Sequence, residues 1–224
     1  VADRLARLGA RLILVARRAD PLAELAGRLS GSAVAGDLTD AAFQERLVAV
    51  FEAEWGEAPD VLINNAGAFA LAAFGETDSA VFERLLAVNL RGPFELTRLC
   101  LPGMLSRGSG HIVNIGSIAG RKAFAGNAAY SASKYGLRGL HEVLVEELRG
   151  TGVRSTWVEP SAVNTPLWDA IDPDAREDLP SRAEMLPPEA VADAVSFAIA
   201  QPSSVAVEEI VIRSNVSRGE RIDG

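Results

Sequence analysis

The sequence predicts an α/β fold, a doubly wound parallel sheet with helices on both faces. Three observations predict it. Short apolar runs recur along the chain, among them "RLILVA" (residues 11–16), "DVLINNAG" (60–67), "HIVNIGS" (111–117) and "VRSTWVE" (153–159). Segments with helical spacing of apolar residues separate these runs, and parallel strands need such crossover helices and are buried on both faces. The 224 residues, 48% of them hydrophobic and 23% charged, suit one globular domain, residues 1–224, with a sizeable core.

The elements follow in order. Val1, Leu5 and Leu8 lie on one face of "VADRLARL", a helix that Gly9 stops. After the strand 11–16, "DPLAELAGRL" reads as a helix with Asp20 as N-cap and Pro21 at its first position. "SAVAG" is a short strand leading to Asp37, and Phe43, Leu47, Val50 and Phe51 mark the next helix. "DVLINNAG" runs from strand into loop. A long helix begins at about Ser79, holds Asn89 in its interior, and should be disturbed at Pro93, which lacks a backbone donor. "HIVNIGS" is a strand opened by His111, residues 128–149 form a long helix containing His141, and "VRSTWVE" is a strand. Beyond a Pro- and Asp-rich stretch, a helix over about 188–201 precedes a last strand, "VEEIVIR". No internal repeat of solenoid length and no low-complexity segment is present.

Composition excludes several functions. A net charge of −8 and a pI near 4.9, with no basic stripe, oppose binding to nucleic acid. No apolar run reaches the length of a membrane span. Cys100 is the only cysteine and His111 and His141 the only histidines, too few for an intrachain disulfide or a Cys/His metal site, so no metal is expected. Both histidines read as structural. The absence of a leader and of paired cysteines makes a reducing, cytoplasmic setting the default.

In a doubly wound sheet, ligands bind beyond the carboxyl ends of the strands. Those ends carry Ala16-Arg17-Arg18, Asp37, "NNAG" (64–67), Ser117 and "EPSAVNTP" (159–166). Both tyrosines of the chain, Tyr130 and Tyr135, lie in "NAAYSASKYGL" (127–137) with Lys134 between them. Tyr130 and Lys134 are four positions apart, one helical turn on one face. A phenol ionises near pH ~10, and a neighbouring ammonium lowers that value, which suits Tyr130 to give a proton to a developing alkoxide or take one from an alcohol. Ser117 is placed to hold the carbonyl oxygen. Taken alone, the stretch reads as a helix start with a solvated lysine. Tyr135 faces away and reads as packing. Asn89, of poor helix propensity, reads by itself as a local kink before Pro93.

With "YSASK" beginning thirteen residues after Ser117, and with "NNAG" and "VNLRG", this set resembles the short-chain dehydrogenase/reductase family from Val1 to about Thr165. The resemblance implies a single-domain Rossmann-like fold and an NADP- or NAD-linked oxidoreductase. It implies Ser117, Tyr130 and Lys134 as catalytic residues, with Asn89 holding a water that leads to the lysine. It also implies cofactor contacts from Asp37 and Leu38 at the adenine, from Asn65, Ala66 and Gly67 on the adenosine side, and from Tyr130 and Lys134 at the nicotinamide ribose. Pro160, Val163 and Thr165 would meet the nicotinamide. Asp37 is otherwise a loop cap. Ser161 stands where the family usually has glycine, and the family's first strand and glycine-rich turn are lacking from the sequence; that strand would lie centrally, between residues 11–16 and 60–64. Where NAD-preferring relatives carry an acid, this chain has Ala16 followed by Arg17 and Arg18. Guanidinium groups pair with phosphate, so NADP(H) is expected over NAD(H), with Arg17 the main contact and Arg18 its helper; otherwise both are solvated.

Residues 166–188 correspond to the family's substrate lid. They hold six acidic residues against Arg176 and Arg182, which disfavours an acidic carrier protein as partner. Trp168 and Leu167 offer an apolar wall, and Arg121 and Lys122 are either carboxylate receptors or solvated. The expected function is NADP(H)-dependent interconversion of a small-molecule carbonyl and a secondary alcohol. The C-terminal segment is similar to relatives acting on small 3-hydroxy acids or serine. Alternatives are a 3-oxoacyl-thioester reductase and a non-catalytic dinucleotide-binding regulatory or scaffold protein. The family likeness implies a homodimer or homotetramer.

Overall fold

The computed structural model describes residues 1–216. Its strands are β1 (Ile13–Ala16), β2 (Ser32–Ala35), β3 (Val61–Asn64), β4 (Gly110–Ile115), β5 (Val153–Pro160) and β6 (Glu209–Ile212). Its helices are α1 (Ala2–Arg7), α2 (Ala19–Leu29), α3 (Ala41–Trp55), α4 (Ser79–Leu86), α5 (Gly92–Arg107), α6 (Ala128–Leu148) and α7 (Pro188–Ile199). Every strand pair is parallel: β1 pairs with β2, and β3-β4-β5-β6 pair in that order. Among the described residues no backbone hydrogen bond joins β1 to β3. In register, Asn64 stands opposite Asn114 and Asn114 opposite Trp157.

One face of the sheet is covered by α3, α5 and α6. Phe43, Leu47 and Phe51 meet Leu96, Cys100 and Met104 over Leu62 and Ile112. On the opposite face Val113 and Val158 pack against Val191, Ala194 and Val195 of α7, with Val1 alongside. The alternation Ile112/Val113 between the two clusters is the period-2 pleat of a strand buried on both sides. No described helix is long and apolar enough to cross a membrane.

Local chemistry sets the helix ends. Asp40 and Asp78 cap α3 and α4 by accepting from the N–H groups of Ala42 and Ala80, at 2.9 and 2.6 Å. Helix α2 departs from the expectation of an Asp20 cap: it starts at Ala19 with Arg18 in the cap position. Asp20 and Pro21 then fall in the first turn, where N–H groups have no intrahelical partner, so proline loses nothing and the acid meets the positive end of the helix. The long helix from Ser79 is interrupted as expected, but by a π turn, Ala87–Arg91, with Pro93 in the first turn of α5. The wider turn takes up an extra residue and turns Asn89 fully inward. Pro102, inside α5, was not singled out by the sequence pattern.

Close packing joins β4 to its neighbours. A Cβ on Gly116 would lie 2.1 Å from the Trp157 ring, and one on Gly120 would lie 2.9 Å from the Lys134 carbonyl oxygen. The chain after β4 therefore lies directly against both β5 and α6.

Candidate active site

The candidate site forms where β4 ends and α6 begins. Ser117 is extended (φ −166°) and caps a short 3₁₀ turn, Ile118–Gly120, its Oγ accepting from the Ala119 N–H at 3.1 Å. The same hydroxyl neighbours the Tyr130 phenol and favours its ionised form. Lys134 lies one turn further along α6, buried at 5% exposure, with Nζ donating to the Ile115 carbonyl at 3.0 Å. Its ammonium sits 5.8 Å from the centroid of the Tyr130 ring.

Burial dominates the electrostatics. It lowers the Lys134 pKa from 10.5 to about 8. Burial also raises the Tyr130 phenol above its ordinary value of 10.0, and the Ser117 hydroxyl works against that rise only in part. The expected lowering by Lys134 is thus not the net result. Its ammonium is directed at the Ile115 carbonyl and lies over the ring rather than at the phenolic oxygen.

Asn89 uses its amide to join two segments. Nδ2 donates to the Ala68 carbonyl (2.9 Å) and to Ser133 Oγ (3.0 Å), and Oδ1 accepts from the Ala68 N–H (2.8 Å). The side chain thereby ties the loop after "NNAG" to the residue preceding Lys134. Within "NNAG", Asn64 is buried and donates to Asn114 and Thr97, whereas Asn65, Ala66 and Gly67 are exposed. A Cβ on Gly67 would meet nothing closer than Asn89 Oδ1 at 3.6 Å, so the fold itself does not require glycine there.

The other sequence-selected residues lie on the segments that follow β1, β2 and β5. Asp37 is an exposed loop cap: its Oδ1 accepts from both the N–H and the hydroxyl of Thr39, which holds its pKa below the ordinary 3.8. Leu38 packs against the larger core cluster. Arg17 and Arg18 are exposed at the carboxyl end of β1, and neither takes part in a salt bridge among the described residues. Beyond β5, which ends at the buried Pro160, Val163 forms a parallel bridge with Leu186, and Asn164 N–H donates to the Leu186 carbonyl at 2.9 Å. Arg182 reaches from the 166–188 segment to Asn164, the Thr165 carbonyl and Asp169. The loop after β5 and the 166–188 segment are thus tied to each other.

Several readings change. Tyr135 is 47% exposed and does not pack in the interior. Arg121 is exposed, as expected of a solvated side chain, but it is not free: it pairs with Glu159 and Glu209. Lys122 lies 5.5 Å from the Phe124 ring centroid. Trp168 stands edge-on to Phe69 at 4.9 Å between centroids, and Phe69 edge-on to Tyr130 at 4.8 Å, an aromatic row from the 166–188 segment to Tyr130. His111, with Thr156 at 2.7 Å, and His141, with Ser155 at 3.0 Å, are structural. Burial lowers the His111 pKa to about 4, so the ring stays neutral near pH 7.

Two participants escaped the sequence reading. Phe69 follows "NNAG" in a loop, and only the fold brings it to Tyr130. Glu159 is fully buried, and its signal was present in the sequence: an acid inside a strand buried on both faces demands paired donors.

Comparison with known proteins agrees with this geometry. The family model for short chain dehydrogenases matches residues 1–176. A glycine betaine reductase of Emericella nidulans is 39% identical over 220 residues, covering 95% of this chain but only 17% of that protein. Serine dehydrogenase from Escherichia coli superposes with a TM-score of 0.81 at 31% identity, over 94% of this chain and 89% of its own. A metagenomic short-chain oxidoreductase in complex with NADP gives 0.80 at 31% identity, over 96% and 90%. A serine-tyrosine-lysine centre at the carboxyl ends of a parallel sheet, together with a family match over residues 1–176, makes this chain a member of the short-chain dehydrogenase/reductase family.

Proposed function

We propose that the chain is an NADP(H)-dependent oxidoreductase interconverting a carbonyl and a secondary alcohol, with Tyr130 as general acid/base. The observation that carries this reading is the buried Lys134, held at the Ile115 carbonyl and 5.8 Å from the Tyr130 ring centroid, with Ser117 acting on the Tyr130 phenol. When bound, a nicotinamide dinucleotide supplies or receives the hydride. Ser117 holds the substrate oxygen by a hydrogen bond. Tyr130 passes its phenolic proton to that oxygen in reduction and takes it back in oxidation. Lys134, charged below pH about 8, favours the phenolate left after transfer. Asn89 fixes the loop at Ala68 against α6; a water relay from it to Lys134 belongs to the same proposal.

For the cofactor, Arg17 and Arg18 offer exposed guanidinium groups held in no salt bridge among the described residues, Arg17 with the Asp37 carboxylate in its field, to a 2'-phosphate, and a metagenomic relative is bound to NADP. Asp37, Leu38, Asn65, Ala66 and the sterically unconstrained Gly67 suit the adenosine side, and Pro160, Val163 and Thr165 the nicotinamide side. Arg17→Ala is expected to raise the KM for NADPH about tenfold with little change for NADH. Unchanged KM values for both, measured by steady-state kinetics, count against Arg17.

For the substrate, the aromatic row Trp168–Phe69–Tyr130 favours an apolar substituent on the carbonyl. The likeness to serine dehydrogenase favours a second reading, a small 3-hydroxy acid. Arg121 and Arg182, however, are already paired with Glu159 and Asp169, and neither guanidinium is free for a substrate carboxylate. Ethyl acetoacetate is therefore expected to be reduced with a kcat/KM about tenfold or more above that of acetoacetate. The reverse preference supports the hydroxy-acid reading. Turnover of a thioester alone supports a 3-oxoacyl-thioester reductase, and NADPH binding without turnover of any of these supports a regulatory or scaffold role. A homodimer or homotetramer and a cytoplasmic setting remain part of the proposal, tested by sedimentation and by localisation of a tagged protein.

A further inference from the structure

Glu159 ends β5 with its carboxylate fully buried, and five hydrogen bonds reach it from three directions. Arg121 Nε donates to both oxygens at 3.1 Å, Arg213 Nη2 to Oε1 at 2.6 Å, Arg138 Nη1 to Oε2 at 2.8 Å, and Trp157 Nε1 to Oε2 at 3.2 Å. Arg213 Nη1 also donates to the Glu159 backbone carbonyl at 3.0 Å. Burial opposes the charge, but the bonds from Arg213, Arg121 and Trp157 hold the carboxyl below its ordinary range. The origins of these donors are what matter. Arg121 directly follows the 3₁₀ turn that Ser117 caps. Arg138 lies one turn beyond Lys134 and two beyond Tyr130 on α6, along one helical face. Arg213 follows β6, and the next residue, Ser214, donates its N–H to Ser161 Oγ at 3.1 Å, at the start of the loop that runs to Val163 and Thr165.

We propose that Glu159 is a positioning residue for the reaction: one buried carboxylate gathers the Ser117 turn, the Tyr130–Lys134 helix and the loop after β5, and its charge contributes to the field at the phenol. The proposal rests on the reading of Ser117, Tyr130 and Lys134 as the reacting groups. Ser117 and Tyr130 sit on separate elements whose relative register nothing covalent fixes. A small slide of α6 against the Ser117 turn separates the two hydroxyls. The multiple bonds to one carboxylate resist that slide because a guanidinium released from it loses a charge-assisted partner at a buried site. The charges facing Glu159 are Arg121, Arg138 and Arg213, with Glu209 bridging Arg121 and Arg138 and Glu142 pairing with Arg138 from outside. Glu159→Gln leaves this group more positive, and Arg121→Gln leaves it more negative.

The test uses two variants and two readouts. Because the chain has only two tyrosines, protein labelled with ¹³C at the tyrosine ζ carbon gives one signal for Tyr130 and one for Tyr135, and each titrates in the folded protein without turnover. Glu159→Gln is expected to move the Tyr130 midpoint down by about half a unit and Arg121→Gln to move it up, with Tyr135 unmoved in both. In ketone reduction, each variant is expected to lose kcat about tenfold with the KM for NADPH within about threefold of wild type. Arg121→Gln keeps the Arg138, Arg213 and Trp157 bonds to Glu159, so it decides the outcome if Glu159→Gln fails to fold. A wild-type kcat in Arg121→Gln, or a Tyr130 titration that does not move in that variant, overturns the assignment. If wild type reduces no ketone, the proposed function fails, while the titration still decides whether Glu159 and Arg121 act on Tyr130.

Discussion

Tyr130→Phe is expected to lower kcat for ketone reduction by about 10²–10⁴-fold, the usual contribution of a positioned general acid, with KM little changed. The ring of phenylalanine keeps the edge-on contact with Phe69, so the variant removes the proton donor and not the aromatic row. Ser117, in the proposed mechanism, still supplies one hydrogen bond to the carbonyl oxygen, and the residual rate is expected to come from it. Tyr135→Phe is the matched control, since Tyr135 is 47% exposed on the same helix, and its activity is expected to equal wild type. Direction sets the pH dependence. Burial holds the Tyr130 phenol protonated beyond pH 10, so it remains a competent donor for reduction across the neutral range. Alcohol oxidation needs the phenolate, and its rate is expected to climb with pH through 10. Comparable loss in the Tyr130 and Tyr135 variants, or an oxidation rate flat from pH 7 to 10, sinks the assignment of Tyr130.

The layered fold was legible because its signals are strong and local. Apolar runs alternating with helical spacing named all six strands of the described chain, and the π turn at Asn89 was foreshadowed by a poor helix former four residues before Pro93. The boundary of α2 was misplaced because Arg18 carries no side-chain cap; the favourable first-turn residues Asp20 and Pro21 looked like the start itself. Ser117, Tyr130 and Lys134 stood out through the family resemblance of the whole set, since the tyrosine-lysine pair alone reads as an ordinary helix start. Their proton affinities were not legible, because burial is a tertiary property: the same lysine is an ordinary cation on a solvated helix and a depressed one under β4.

The charged residues illustrate the same limit. Arg121 looked like a substrate receptor or a solvated side chain, and nothing near it in sequence reveals Glu159, 38 positions away, as its partner. Pairing across a parallel sheet joins residues that are remote in the chain, so the identity of a buried ion cluster emerges only with strand order. The demand for such a cluster was nevertheless visible in "WVEP", where an acid sits among fully buried neighbours.

Lys134→Met carries the second large effect, and it separates charge from packing. A lysine whose pKa falls from 10.5 unfolded to about 8 folded binds fewer protons in the native state between those values. Stability therefore rises with pH across that window: the cost of burying the ammonium is fully present below pH 8 and is relieved as pH climbs to 10.5. At ~1.4 kcal/mol per unit the change is about 3 kcal/mol. Two groups act in the opposite sense. The Cys100 thiol, raised by burial from 9.0 to about 12, and the raised Tyr130 phenol both keep protons that the unfolded chain releases, so they lower stability above pH 9 and 10 respectively. Wild type alone would blur these terms. The difference between wild type and Lys134→Met isolates the lysine, because Cys100 is common to both. That difference, from urea unfolding at a series of pH values, is expected to grow in favour of wild type by about 3 kcal/mol between pH 8 and 10.5. Loss of the Ile115 carbonyl's donor adds about 1 kcal/mol that does not vary with pH. A difference flat across the window means that Lys134 is not buried as an ammonium, and its place beside Tyr130 then fails with it.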